Sequence, residues 1–277
     1  MLDDAAFGAA TPVTPKFISP ADPASRWTGA NKGLAFFAYA TNYLIDLDHA
    51  VIVDVEASTA VRQAEVTAAR TMIDRVREQH DLSPQRLAAD TAYGSAEMLD
   101  WLVNEQGVEP HIPVMDKSNR EDGTFSRSDF SYDPAADLYR CPEVKELKRH
   151  RRAFRIDHPD VPPDDTYRYR ASKADCDGCS LKSRCCPNTP ARKVTRSIYE
   201  AARDFARDIA KTDAYVTSRR ERKKVEMLFA HLKRILKLDR LRLRGPCGAR
   251  DEFHLAATAQ NLRKLAKLIP SAAPVIA

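Results

Sequence analysis

No apolar run in this sequence approaches the roughly 18 residues of a bilayer-spanning helix. The opening Met1 to Pro15 has two acids, no basic cluster and no hydrophobic segment, which excludes the pattern of a secretory leader. These absences point to a water-soluble, cytoplasmic protein. No internal repeat is present, which argues against a solenoid or propeller. Cysteine is nearly missing outside one window: of six, Cys141, Cys176, Cys179, Cys185 and Cys186 lie close in sequence, and only Cys247 stands apart. In a cytoplasmic chain such clustering suggests a metal before a disulfide.

What is present is enough for a real core. At 277 residues, 43% hydrophobic and 30% charged, the chain has material for one large domain or two modest ones. The net charge of +5 is unevenly placed. Between Val216 and Arg250 twelve Lys or Arg face three acids, a local +9 that exceeds the charge of the whole chain. A surface of this kind favours a polyanion through phosphate contacts and counterion release; a solvated helix face is the competing reading.

Residues 1–30, with Pro12, Pro15, Pro20 and Pro23, read as an irregular lead-in. Leu34 to Ile45 and His49 to Ala57 are rich in aromatic and β-branched residues and read as an antiparallel hairpin. Arg62 to His80 lacks Gly and Pro and spaces Val66, Ala69, Ile73 and Val76 as an amphipathic helix. Arg86 to Asp90 is a short strand. Ser95 then caps a helix with Met98, Leu99 and Leu102 inward, and Gly107 ends it. Val108 to Val114 returns as a strand. The alternation predicts an α/β fold with a mixed sheet, its first part spanning 31–116. From 117 to 196 the periodicity gives way to polar, Cys-bearing sequence, read as an irregular insertion. Helical pattern resumes over 197–277, with stripes at Val225, Leu228, Phe229, Leu232, Ile235 and Leu236, then at Phe253, Leu255, Ala256, Leu262, Leu265 and Leu268.

Two positions carry candidate chemistry. Asp90 ends a predicted strand just before a tight turn, where a carboxylate sits at a sheet rim in reach of a ligand; the same position suits a turn-forming or capping aspartate. Arg222, Glu226 and Lys233 share one face of a predicted helix. That face can hold a divalent cation through Glu226 and phosphates through the cations, or be a wet helix with an i,i+4 ion pair. Cys141, Cys176, Cys179 and Cys185, with one C-x2-C pair, suit a tetrahedral structural Zn²⁺ site, and four thiolates equally suit an iron–sulfur cluster. Cys247, in a Gly-Pro-Cys-Gly turn, reads as incidental.

Two strings together resemble a known family. Leu87 to Ser95, around Asp90-Thr-Ala-Tyr-Gly94, is similar to the segment bearing the second acid of bacterial insertion-sequence DDE transposases. Arg222-Lys-Lys-Val-Glu226 through Lys233 is similar to the helix bearing their third acid, where an arginine precedes the glutamate by four and a lysine follows by seven. Arg219 stands where the family usually has tyrosine. The Cys-bearing segment narrows the resemblance to the branch with a Cys-rich insert.

The resemblance implies an RNase H-like core. It makes Asp90 and Glu226 catalytic ligands of Mg²⁺ (or Mn²⁺), with Arg222, Lys233, Arg219 and Lys223 positioning DNA. It implies DNA as partner, both the terminal inverted repeats of an element and a target. It implies a homo-oligomer on paired ends and a cytoplasmic, nucleoid-associated location. The family's first acid, in an Asp-Gly-Thr or Asp-Gly-Ser strand, has no match here, so the expectation is an N-terminally shortened enzyme. Asp46, Asp48 and Asp54 read as turn and edge-strand residues. The alternative to a cutting transposase is an inactive remnant that only binds DNA.

Overall fold

The computed structural model describes residues 14–29, 33–116, 120–150 and 165–269. The first part of the expected lead-in, pieces of the expected insertion and the C-terminal end lie outside them. The chain is mixed α/β and divides into two compact units, each with its own apolar cluster. The first comprises Met1–Tyr93, Gly107–Ile112 and Ile209–Ala277; the second comprises Gly94–Gln106 and Pro113–Asp208. Among the described residues no helix is long and apolar enough to cross a membrane.

The first unit opens with β1 (Arg26–Gly29), β2 (Ala35–Asp46) and β3 (Val51–Thr59), an antiparallel sheet in the order β1-β2-β3. The hairpin read from the aromatic and β-branched runs is therefore present. One strand was not foreseen: β1 lies in the lead-in and pairs Arg26 to Gly29 with Ala38 to Ala35. The prolines end just before it, at Pro23.

Asp46 accepts hydrogen bonds from the backbone N–H groups of Asp48 (3.0 Å) and His49 (3.3 Å). Asp54 pairs with Arg75 at 2.8 Å. Both acids thus do the turn and edge work that their positions suggested. α1 (Arg62–His80) coincides with its predicted span and buries Ala64, Ala68, Met72, Ile73 and Val76. β4 (Arg86–Ala88) and β5 (Glu109–His111) form a parallel pair.

α6 (Asp213–Arg234) and α7 (Gly245–Leu268) complete this unit. Leu228, Leu232, Phe253, Ala256 and Ala257 close over Ile52, Val55 and Ala57 of β3. Asn261 reads the free edge of β3: its Oδ1 accepts from Ile52 N–H at 2.9 Å and its Nδ2 donates to Ile52 O at 2.7 Å. Two expectations need correction. α7 starts at Gly245 with Pro246 in its first turn, so the Gly-Pro-Cys-Gly segment is helical; proline is well tolerated there because it needs no N–H donor. Its apolar residues also occupy two faces. Phe253 and Ala256 are buried, while Leu255, Leu262, Leu265 and Leu268 are exposed, as is Ile235 after α6. At about 100° per residue, Leu255 and Leu262 fall nearly opposite Phe253.

In the second unit α2 (Ala96–Asp100) begins as read, Ser95 accepting from Met98 N–H at 3.3 Å, with Met98, Leu99 and Leu102 buried. The stretch expected to be irregular contains strands instead. β6 (Ser131–Asp133), β7 (Leu138–Arg140), β8 (Glu146–Arg149), β9 (Thr166–Arg170) and β10 (Lys193–Ser197) form an antiparallel sheet in the order β10-β9-β8-β7-β6. The strands are short and alternate charged residues with Tyr139, Leu147, Tyr169 and Val194, which share the inner face with the cysteines. Two short helices, α3 (Lys173–Asp177) and α4 (Lys182–Cys185), lie between β9 and β10, and α5 (Glu200–Ile209) follows.

Candidate active site and thiol cluster

In the first unit, two consecutive residues of α6 hold both ends of β4. Glu221 pairs with Arg86 at 3.1 Å where the strand starts. The Arg222 guanidinium donates to the carbonyl of Ala89 at 3.0 Å where it ends. Tyr215, nearly two turns earlier, stacks obliquely on His111 of β5 with ring centroids 6.0 Å apart. α6 is thereby fastened along the β4–β5 pair by named contacts.

Asp90 follows the carbonyl that Arg222 holds. It is exposed; one carboxylate oxygen accepts from Ala92 N–H at 2.7 Å and its backbone carbonyl accepts from Tyr93 N–H at 3.2 Å. The turn-forming role is real, and it engages one of the two carboxylate oxygens. Glu226 is exposed one helical turn past Arg222, roughly 6 Å along the axis. Neither acid has a cationic partner among the described residues.

Sequence reasoning passed over Glu65 of α1. Tyr93 is buried enough to push its phenol up to about 12, and the charges of Glu65 and then Asp90 push in the same direction. Glu65 and Asp90 therefore act on one phenol. The only sequence signal was an acid in the first turn of a helix, which ordinarily reads as a complement to the helix dipole.

The cations separate by role. Arg222 is half-buried and spent on the Ala89 carbonyl, so in this structure it fixes the strand end that presents Asp90. Arg219, Lys223 and Lys233 are exposed on α6 with no acidic partner among the described residues.

In the second unit the sulfur-bearing residues come together. Cys141, just after β7, Cys176 on α3, Cys179 between the short helices, and Cys185 and Cys186 at the end of α4 all line one cavity of about 20 Å³. All are free thiols. The backbone N–H of Lys145 donates to Cys141 Sγ at 3.3 Å. Burial raises the Cys176 thiol against a hydrogen bond from the Arg192 backbone, and burial followed by the neighbouring Cys186 pushes Cys185 up to about 11. Cys186, outside the four expected ligands, lines the same cavity and is buried in the same cluster. Cys247 is exposed on α7, in the other unit. Among the described residues no three His, Cys, Asp or Glu side chains are grouped so as to hold a metal ion as they stand.

A family model described as the transposase DDE domain matches residues 10–262 of the chain. No curated protein and no solved structure gives a significant match.

Proposed function

Because the chain belongs to the transposase DDE domain family, which works on DNA and generally uses divalent metal ions, we propose that it cleaves and joins DNA strands in transposition with Asp90 and Glu226 as catalytic carboxylates. The observation that carries this reading is the bond from Arg222 to the Ala89 carbonyl. It ties the element that presents Asp90 to the helix that presents Glu226, one turn away. Both carboxylates are exposed and unpaired, and their oxygens are the hard donors that Mg²⁺ or Mn²⁺ prefers. Cations held there would neutralise charge on the attacking and leaving oxygens of an in-line displacement.

In this reading β2 to β5 with α1 and α6 are the RNase H-like part, and the Cys-bearing unit is an insertion within it. Arg222 positions Asp90, while Arg219, Lys223 and Lys233 meet phosphates of the element's terminal repeats and of the target, where positive charge alone is sufficient. Assembly of two or more copies on paired ends, and action in the cytoplasm on the nucleoid, complete the proposal. The cysteines form a separate structural metal site, with Cys141, Cys176, Cys179 and Cys185 as ligands; thiolates at one cavity have the chemistry for zinc or an iron–sulfur cluster.

One observation favours a second reading, a module that binds DNA without cutting it: two carboxylates are matched to the family's pattern, and no three His, Cys, Asp or Glu side chains form a metal-holding group among the described residues. The two readings part in one assay. DNA bearing the element's terminal repeats is incubated with Mg²⁺ or Mn²⁺ and with the wild-type chain, Asp90→Asn or Glu226→Gln. The enzyme reading expects cutting by the wild type that either substitution lowers by at least about 100-fold while binding persists. Binding by all three with cutting by none supports the module. Cutting that survives both substitutions overturns the site.

A further inference from the structure

In the first unit the facing sides of α6 and α7 leave an open pocket of about 400 Å³. On each helix the lining positions recur at i, i+3, i+4 and i+7, which is one face of each. Lys224 from α6 and Arg263, Lys264 and Lys267 from α7 supply four cations. No acid lines the pocket, and none of the four has an acidic partner among the described residues. Among its apolar lining residues are Leu228, which is buried, and Met227, which is exposed. This is not the face that bears Glu226, because Met227 lies one position on and about 100° around the helix.

Two further atoms say what kind of ligand is missing a partner. Gln260 is 6% exposed, lines the pocket, and its Oε1 has no hydrogen bond. His231, also in the lining, has a buried Nδ1 without a partner. Buried polar atoms are normally satisfied, and leaving one orphaned costs about 1–3 kcal/mol. The phosphodiester of a strand backbone by itself answers only half of this. Its oxygens suit the four cations, but it offers no donor to an amide oxygen. A nucleotide supplies more: phosphate for the lysines and arginine, a flat apolar ring for Met227 and Leu228, and a base edge whose N–H can reach Gln260. The volume falls in the range of small-molecule sites.

We propose that this pocket receives an unpaired nucleotide of a nucleic-acid strand, its phosphates on Lys224, Arg263, Lys264 and Lys267 and its base edge on Gln260. The inference rests on the reading of the chain as a DNA-acting protein, and adds a subsite on a different face from the carboxylates.

The test is metal-free binding, by fluorescence anisotropy, of an end-labelled single-stranded octanucleotide and of the same strand built from abasic units. The full chain is compared with Arg263→Glu/Lys267→Glu and with Gln260→Leu. Arg263 and Lys267 are exposed, so reversing them leaves the fold intact, which melting curves check. The wild type should bind the base-bearing strand at least about fivefold more tightly than the abasic one. The double reversal should weaken binding by about tenfold or more and reduce the salt slope by about 1.4, two phosphates at roughly 0.7 each. Gln260→Leu should erase the preference for bases and leave abasic binding unchanged. Equal binding of the two strands by the wild type reduces the pocket to a phosphate-attracting surface and overturns the proposal. So does full binding by the double reversal, and if Gln260→Leu fails to fold these two comparisons still decide. Pocket-dependent strand binding with no cutting in the repeat-end assay would sink the enzyme reading alone; cutting without base preference would sink this inference alone.

Discussion

Glu200 is an acid at 1% exposure, a position that an unpaired carboxylate would leave. It stays because three guanidiniums surround it: Arg127 at 2.7 Å, Arg207 at 2.9 Å and Arg203 at 3.0 Å. Burial by itself raises the carboxyl, but the hydrogen bond and charge of Arg127, helped by Arg203 and Arg207, outweigh it and hold Glu200 below the ordinary glutamate range. A depressed folded-state pKa contributes stability that is complete above the unfolded value, about 4.3, and is lost as pH falls through and below it. Denaturant melts of the second unit should therefore lose midpoint steadily below about pH 4.3. Glu200→Gln should flatten that acid limb and cost about 3–5 kcal/mol at neutral pH, since it leaves several buried cations short of their anion. A variant as stable as the wild type at pH 7 would show that the network contributes nothing.

Between elements, the close approaches are what sequence patterning conveyed least. Gly94 was legible as a turn residue before Ser95, yet its necessity comes from elsewhere in the chain. A Cβ there would stand 2.1 Å from Pro113 O and 2.8 Å from Met115 N, both backbone atoms, while Met115 N–H donates to Gly94 O at 2.8 Å. Gly94→Ala should destabilise the second unit by about 3 kcal/mol or more, because backbone cannot yield as a side chain can. Gly178→Ala, whose nearest atom would be 4.0 Å away, should melt like the wild type. Equal melts for both variants would refute the clash.

The same distinction explains what the sequence made plain. α1 has no Gly or Pro to interrupt it and its span was legible to the residue, although its buried face also takes in Ala64, Ala68 and Met72, with Val66 and Ala69 only half-buried; Ser95 carries its own capping chemistry. β1 is four residues long and acquires its strand character only from pairing with β2. The strands of the second unit are three to five residues long, too short to establish a period against polar surroundings. In the candidate site, Asp90 and Glu226 were legible through motif. The fastening of Arg222 to Ala89 spans 133 positions, and no local pattern encodes it.

At the scale of the whole molecule, the two units draw on different sources of stability. The first buries a continuous apolar cluster of β3, α6 and α7. The second places three cysteines among its buried residues, beside short strands and two helices of four and five residues. Helices that short do not stand alone, and a small thiol-lined cavity at their junction is where a bound ion would convert ligand binding into folding energy. The expected outcome is that anaerobically purified protein contains about one zinc, or an iron–sulfur cluster, per chain. A chelator should then expose amides of 113–208 to hydrogen exchange while those of α1 and α7 keep their protection. Cys179→Ser should lose the metal and Cys247→Ser should retain it, because Cys247 is exposed in the other unit. The pattern also separates a structural metal from an adventitious one. An ion bound loosely to surface thiols would respond to Cys247 and leave exchange in the second unit unchanged. Less than about 0.2 equivalents of metal, with exchange indifferent to chelator, would mean that the five thiols, three of them buried, are only part of the packing, and that the hydroxyls of Tyr132 and Tyr169 on Asp137, together with the Glu200 network, suffice to hold this unit together.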